Sequence, residues 1–137
     1  MSLYLCIFDE DDELDGVDVG AYSDFGHFRK TVSEALENGQ MGSRFPVLML
    51  HSDCDGEWSI EECRSLENEI GVISSELKQL LPKGFHADWQ NGLAKKLGLN
   101  PISLYECFID VDGEPLLVRL LELSKLASTR KLPILFQ

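Results

Sequence analysis

The stretch "SIEECRSLENEIGVISSELKQLLP" (59–82) constrains the fold of this chain more than any other. Ser59 followed three residues later by Glu62 is a capping box, in which each side chain satisfies the other residue's backbone N–H at a helix start. Ile60, Cys63, Leu66, Ile70, Ile73, Leu77 and Leu80 then recur at spacings of three and four, until Pro82 closes the segment. A helix with one apolar face must bury that face against a second layer, so the rest of the chain has to supply one.

The remaining segments supply it as short strands and further amphipathic helices. "LYLCIF" (3–8) is rich in β-formers and reads as a buried strand. "SDFGHFRKTVSEALENG" places Phe25, Phe28, Val32 and Leu36 on one helical face, with Ser23 as a candidate N-cap and Asn38-Gly39 as the stop. "FPVLML" (45–50) reads as a second strand, with Pro46 near its start. "ADWQNGLAKKLG" is a short helix ending at Gly98, "LYECFI" (104–109) a third strand, "PLLVRLLELSKLA" an apolar helix with Pro115 in its first turn, and "PILF" a fourth strand. The expected order is β-α-β-α-α-β-α-β. At 137 residues this predicts a single domain, 1–137, of α+β or α/β class. Its small mixed sheet of about four strands would be covered by helices, with some parallel pairing.

Charge narrows the partners. The formal net charge is −12, and "DEDDELD" (9–15) alone holds six acids. That stretch is expected to be an exposed acidic loop. No Lys or Arg precedes Arg29, whereas Arg119, Lys125, Arg130 and Lys131 face only Glu122 in the last 23 residues. Nucleic acid and anionic membrane both require a basic face, so neither is expected as a partner. A basic protein partner fits better, although an acidic surface also serves solubility alone. No apolar run approaches the ~20 residues that span a bilayer. The N-terminus lacks the basic region and cleavage site of a signal peptide, which predicts a cytoplasmic protein. Cys6, Cys54, Cys63 and Cys107 form no CxxC pair and are expected to be free thiols.

One element occurs twice: "HSDCDGEWS" (51–59) and "DVDGEPL" (110–116) share Asp-x-Asp-Gly-Glu. A calcium loop of EF-hand type needs Gly at position 6 and Glu at position 12. Counted from Asp53 those positions hold Trp58 and Arg64; counted from Asp110 they hold Pro115 and Leu121. Neither copy fits. Paired carboxylates can do acid–base work only when held in different environments, and His51 with Cys54 lacks the surroundings of a nucleophile pair. No P-loop, GxGxxG or HExxH is present. Turn chemistry at a strand-to-helix junction accounts for both copies. The first copy carries more than a turn needs, with Asp53, Asp55, Glu57 and Trp58 on one loop. These four, together with Asp11, Asp12 and Asp15, are the candidate partner-binding residues, with Trp58 either an interface anchor or folded back onto the core. No catalytic residue, metal ligand or cofactor is expected.

The strings "VDVGAYSDFGHFR", "LMLHSDCDGEWSIEECRSLENEI" and "FIDVDGEPLLVRLLELSKLA…LPILFQ" resemble the immunity proteins of bacterial polymorphic-toxin and contact-dependent inhibition systems, and most of all the immunity protein 70 family. The resemblance runs from about residue 16 to the C-terminus, and the acidic stretch 9–15 lies outside it. It implies a non-enzymatic cytosolic protein that binds a cognate toxin domain and blocks its active site or its access to substrate. A nuclease, with its basic substrate groove, is a toxin that an acidic surface can compete for. Two other functions stay open on the residues alone: a regulatory protein-interaction domain unrelated to toxins, and a metal-dependent hydrolase using the acidic turn.

Overall fold

In the computed structural model, which describes residues 2–137, strands β1 (Ser2–Asp9) and β2 (Asp12–Ala21) form an antiparallel hairpin. The acidic stretch is therefore not a loop. It makes the turn, where Glu10 takes φ +58°, and then the first part of β2. The register shifts twice, so Leu14 and Val19 are extra residues on β2. Such bulges bend a strand and tighten its twist.

Helix α1 (Tyr22–Leu36) follows directly. It starts before Ser23, and the Asp24 carboxylate accepts from the Ala21 N–H at 2.8 Å. Next come α2 (Pro46–Leu50), the two-residue strand β3 (Glu57–Trp58), α3 (Ile60–Leu77), α4 (Asp88–Leu97), a 3₁₀ turn (Leu104–Cys107), α5 (Leu116–Arg130) and β4 (Ile134–Phe136). The sheet has order β2-β1-β4-β3, and each pair in it is antiparallel. The class is α+β with one four-stranded sheet, as the sequence suggests, but without parallel pairing. β1 and β4 come together because α5 brings the chain back against the first strand, not through a parallel crossover.

Two segments expected as strands are helical. Residues 46–50 form α2 because Glu69, on α3, accepts the Val47 and Leu48 N–H groups at 3.1 and 2.9 Å and caps the helix from outside it. Residues 104–107 form a 3₁₀ turn held by the Leu104 N–H on Leu80 O (2.9 Å), with only an isolated bridge, Ile109 to Pro115, beyond it.

The core lies between the sheet and the helices. Leu3, Leu5 and Ile7 alternate onto the helix side of β1. They meet Phe25, Phe28 and Val32 of α1, the stripe of α3 and Leu117, Leu120 and Leu123 of α5. On α3 the stripe is Cys63, Leu66, Ile70, Ile73 and Leu77, all buried. Each Leu or Ile buried in this way contributes about 1.5–3 kcal/mol. The capping box forms as read: Ser59 Oγ accepts from Glu62 N at 3.1 Å, and the Glu62 carboxylate accepts from Ser59 N at 3.0 Å. All four cysteines are free thiols, and only Cys54 is exposed. No described helix is long and apolar enough to cross a membrane.

Candidate functional site

The sequence-selected residues occupy two places. Asp11 and Asp12 stand exposed at the β1–β2 turn beside Glu10. Asp53, Asp55 and Glu57 stand exposed on the loop between α2 and α3. β3 pairs with β4 and β4 with β1, all antiparallel, so β3 runs in the direction of β1. The 51–56 loop thus meets the sheet at the end where β1 begins, opposite the hairpin turn. β2 and β3 are also the two outer strands. The acids form two separate clusters, not one face.

Two of the selected residues are engaged by the fold, Trp58 in the interior and Asp15 in a half-buried ion pair. Trp58 is fully buried; its Nε1–H donates to Val47 O at 3.0 Å and its ring meets Phe136 edge-on at 4.6 Å. Asp15 pairs with Arg119, whose Nη2 lies 2.9 Å from Asp15 Oδ1 and 2.9 Å from Gly16 O. The same guanidinium reaches Glu122 at 3.0 Å and Asp110 at 3.8 Å. The hydrogen bonds that Arg119 donates to Asp15 hold it firmly protonated, against the cost of partial burial.

The two Asp-x-Asp-Gly-Glu copies differ in kind. Asp110 is 2% exposed, and its Oδ1 accepts the N–H groups of Asp112 and Glu114 at 2.9 and 3.0 Å. Burial raises its carboxyl pKa, and those two N–H groups and Arg119 oppose the rise. Gly113 turns there at φ +81°, the left-handed backbone that favours Gly, and an added Cβ would crowd the end of the Leu97 side chain. The second copy is turn chemistry. The first copy follows a helix, not a strand, and is organised by His51. One ring nitrogen of His51 lies 2.7 Å from Ser52 O and the other 2.8 Å from Glu57 O, while the ring stacks on Phe136 at 4.1 Å. The carboxylates of Asp53, Asp55 and Glu57 make no hydrogen bond or ion pair among the described residues.

Beneath this loop lies a residue that the sequence did not single out. Arg29 on α1 is 7% exposed, with its guanidinium carbon 4.4 Å from the Phe25 ring centre. Its Nε and Nη2 are buried without a hydrogen-bond partner. Burial lowers its pKa to about 10, and the negative charge of Asp53 works against that fall. A helix wheel places Arg29 beside Phe25 and Val32, but no local pattern announces that its charge is buried.

Other acids are consumed by the architecture. Glu37 accepts the N–H groups of Gly42, Arg44 and Phe45 at 3.1, 2.9 and 3.0 Å. Glu76 pairs with Arg44 at 2.6 Å and Asp9 with Arg130 at 2.8 Å. Asp24 accepts from Trp89 Nε1 at 3.1 Å.

A concave region on the α1 side escaped the sequence reading. His27 on α1 and His86 before α4 stack at 3.8 Å with rings 10° apart, at a cleft of about 310 Å³ also lined by Lys83, Phe85 and Phe108. The two histidines are far apart in sequence, and no spacing rule links them. Among the described residues no three His, Cys, Asp or Glu side chains converge as metal ligands.

No curated protein and no solved structure matches this chain. The sequence model of the family described as immunity protein 70 matches residues 3–136. That match takes in both acidic clusters, the capped helix α3 and all four strands but for the first residue of β1, so the chain belongs to the immunity protein 70 family.

Proposed function

We infer that this immunity protein binds and neutralises a cognate toxin domain without performing covalent chemistry. It works as one domain, 1–137, in the cytoplasm. Its partner is a basic protein surface, and a nuclease with a cationic substrate groove is the toxin that suits it best. Neither nucleic acid nor a membrane is the target.

One observation carries this reading. The chain uses many of its acids internally, as caps and ion pairs; among the described residues, the exposed acids without a partner include two groups at opposite ends of the sheet, Glu10, Asp11 and Asp12 at the hairpin turn and Asp53, Asp55 and Glu57 on segment 53–57, besides Asp112 and Glu114 on the 110–114 turn. The two groups at the ends of the sheet are the contact candidates. Asp15 and Trp58 serve the site indirectly, by fixing β2 and seating the 51–57 loop. Complementary charge of this kind steers encounter, with association rates towards roughly 10⁸ M⁻¹s⁻¹ at low salt.

Co-expression with the toxin domain encoded beside it tests the reading. Rescue of growth together with co-purification of the pair is expected. Continued growth arrest, with the protein folded and abundant, would overturn it.

A further inference from the structure

We propose that the cleft between α1 and segment 83–86 is a binding pocket for a carboxylate. The chain carries a net charge of −12, yet none of the residues lining this cleft is Asp or Glu. It is lined instead by His27, His86 and Lys83, with Thr31 and the apolar walls of Phe85 and Phe108. Its volume, about 310 Å³, lies at the small end of the range that holds ligand groups. This proposal does not rest on the toxin reading: the ligand here is an anion, whereas the surface facing the toxin is acidic.

The chemistry follows from the stack. With the His27 and His86 rings 3.8 Å apart and nearly parallel, a second proton on the pair would face the first at short range. Burial, then His86, then Lys30 all lower the pKa of His27, while Asp24 and Glu34 oppose them. Asp24 is already engaged by the Ala21 N–H and by Trp89, and Glu34 is exposed on α1. Thr31 gives its hydroxyl proton to His27 O at 2.8 Å, so it is not the donor for a ligand. His27 Nε2 lies 3.4 Å from Thr31 Oγ1, so the donors left for a ligand are the other ring N–H groups of the pair and the ammonium of Lys83, which is exposed and takes part in no ion pair among the described residues. A carboxylate seated between them accepts from both kinds of group and offsets the charge of a protonated ring. Binding therefore draws a proton onto the pair, and affinity rises as pH falls through the histidine range.

The carboxylate can belong to a peptide side chain or to a small free acid. Histidine ring resonances, followed by NMR on the full chain, test the site with acetyl-glutamate amide for the first source and benzoate for the second. Saturable shifts of the His27 and His86 ring resonances, with a raised titration midpoint for His27, are expected from at least one of them. Each unit of midpoint rise corresponds to a tenfold preference for the protonated pocket. The tighter of the two probes assigns the source. Benzamide, neutral and of the same shape as benzoate, should leave the rings unmoved. Lys83→Met, a change at an exposed position, should weaken binding about tenfold or more. The proposal is overturned if the histidines do not respond, if benzamide binds as well as benzoate, if Lys83→Met changes nothing, or if inorganic phosphate binds as tightly as either carboxylate.

Discussion

Arg119 Nη2 lies 2.9 Å from Asp15 Oδ1, joining α5 to β2 across 104 positions of chain. This contact explains how so acidic a segment becomes a strand. The cation also approaches Glu122 and the buried Asp110, so it balances three carboxylates at once. Removing it strands Asp15 and Asp110 in partly desolvated sites. Arg119→Met is expected to lower stability by about 2–3 kcal/mol in urea titration. Glu122→Gln, at the exposed end of the network, should cost only a few tenths.

Glu37 gives the acid limb of stability. Burial alone would raise its pKa, but the three N–H groups of the 42–45 segment win and lower it below 4.5. A carboxyl with a depressed folded-state pKa adds stability that is present above the unfolded value and lost as pH falls through the folded one. Glu37→Gln should therefore be about 2 kcal/mol less stable than wild type at pH 7. The gap should close as pH drops below about 4.5, measured by denaturation at a series of pH values.

Arg29 makes the opposite prediction. Its guanidinium bears a desolvation cost with two orphaned nitrogens, and Asp53 is the carboxylate whose field partly offsets it. Because its folded pKa is lowered to about 10, that cost is fully present at pH 7. Arg29→Met should raise stability by about 1–2 kcal/mol. Asp53→Asn should lower it slightly, and should have no such effect in the Arg29→Met background.

Trp58 separates fold from interface. Trp58→Phe removes the bond to Val47 O and part of the packing on Phe136, so a loss of about 1–3 kcal/mol is expected. Toxin affinity of the folded fraction should stay within about twofold, because the indole is not at the surface. A large loss of affinity at unchanged stability would restore Trp58 as an interface anchor.

The helices were legible where their signals are local. The Ser59–Glu62 box, the α3 stripe from Cys63 to Leu77 and the Gly98 stop, at φ +71°, can each be read within a few residues and form as read, whereas the stripe's expected ends do not: Ile60 is exposed, and Leu80 is exposed beyond the end of the helix at Leu77. The errors fall where distant side chains decide. "FPVLML" has the composition of a strand and becomes helical because Glu69, about 20 positions on, caps it. "DEDDELD" looks unable to pair, yet Tyr4 donates to Glu13 at 2.7 Å, and Arg119 and Arg130 arrive from the far end of the chain to hold Asp15 and Asp9. Its turn also has no Gly or Asn to announce it, since Glu10 takes the positive φ. The same long-range pairing makes the candidate site only partly legible. Sequence separates acids from bases, but not the acids left unpaired from those, like Asp15, already engaged.

The central claim is that the unpaired carboxylates of the hairpin turn and the 53–57 loop draw in a basic toxin. Stopped-flow association with the cognate toxin domain, over a series of salt concentrations, measures this directly. Two variants suffice: Glu10→Gln with Asp11→Asn and Asp12→Asn, and Asp53→Asn with Asp55→Asn and Glu57→Gln. A steep fall of the wild-type rate with salt, and a slower, flatter dependence in at least one variant, is the predicted result. A salt dependence identical to wild type in both folded variants would contradict it.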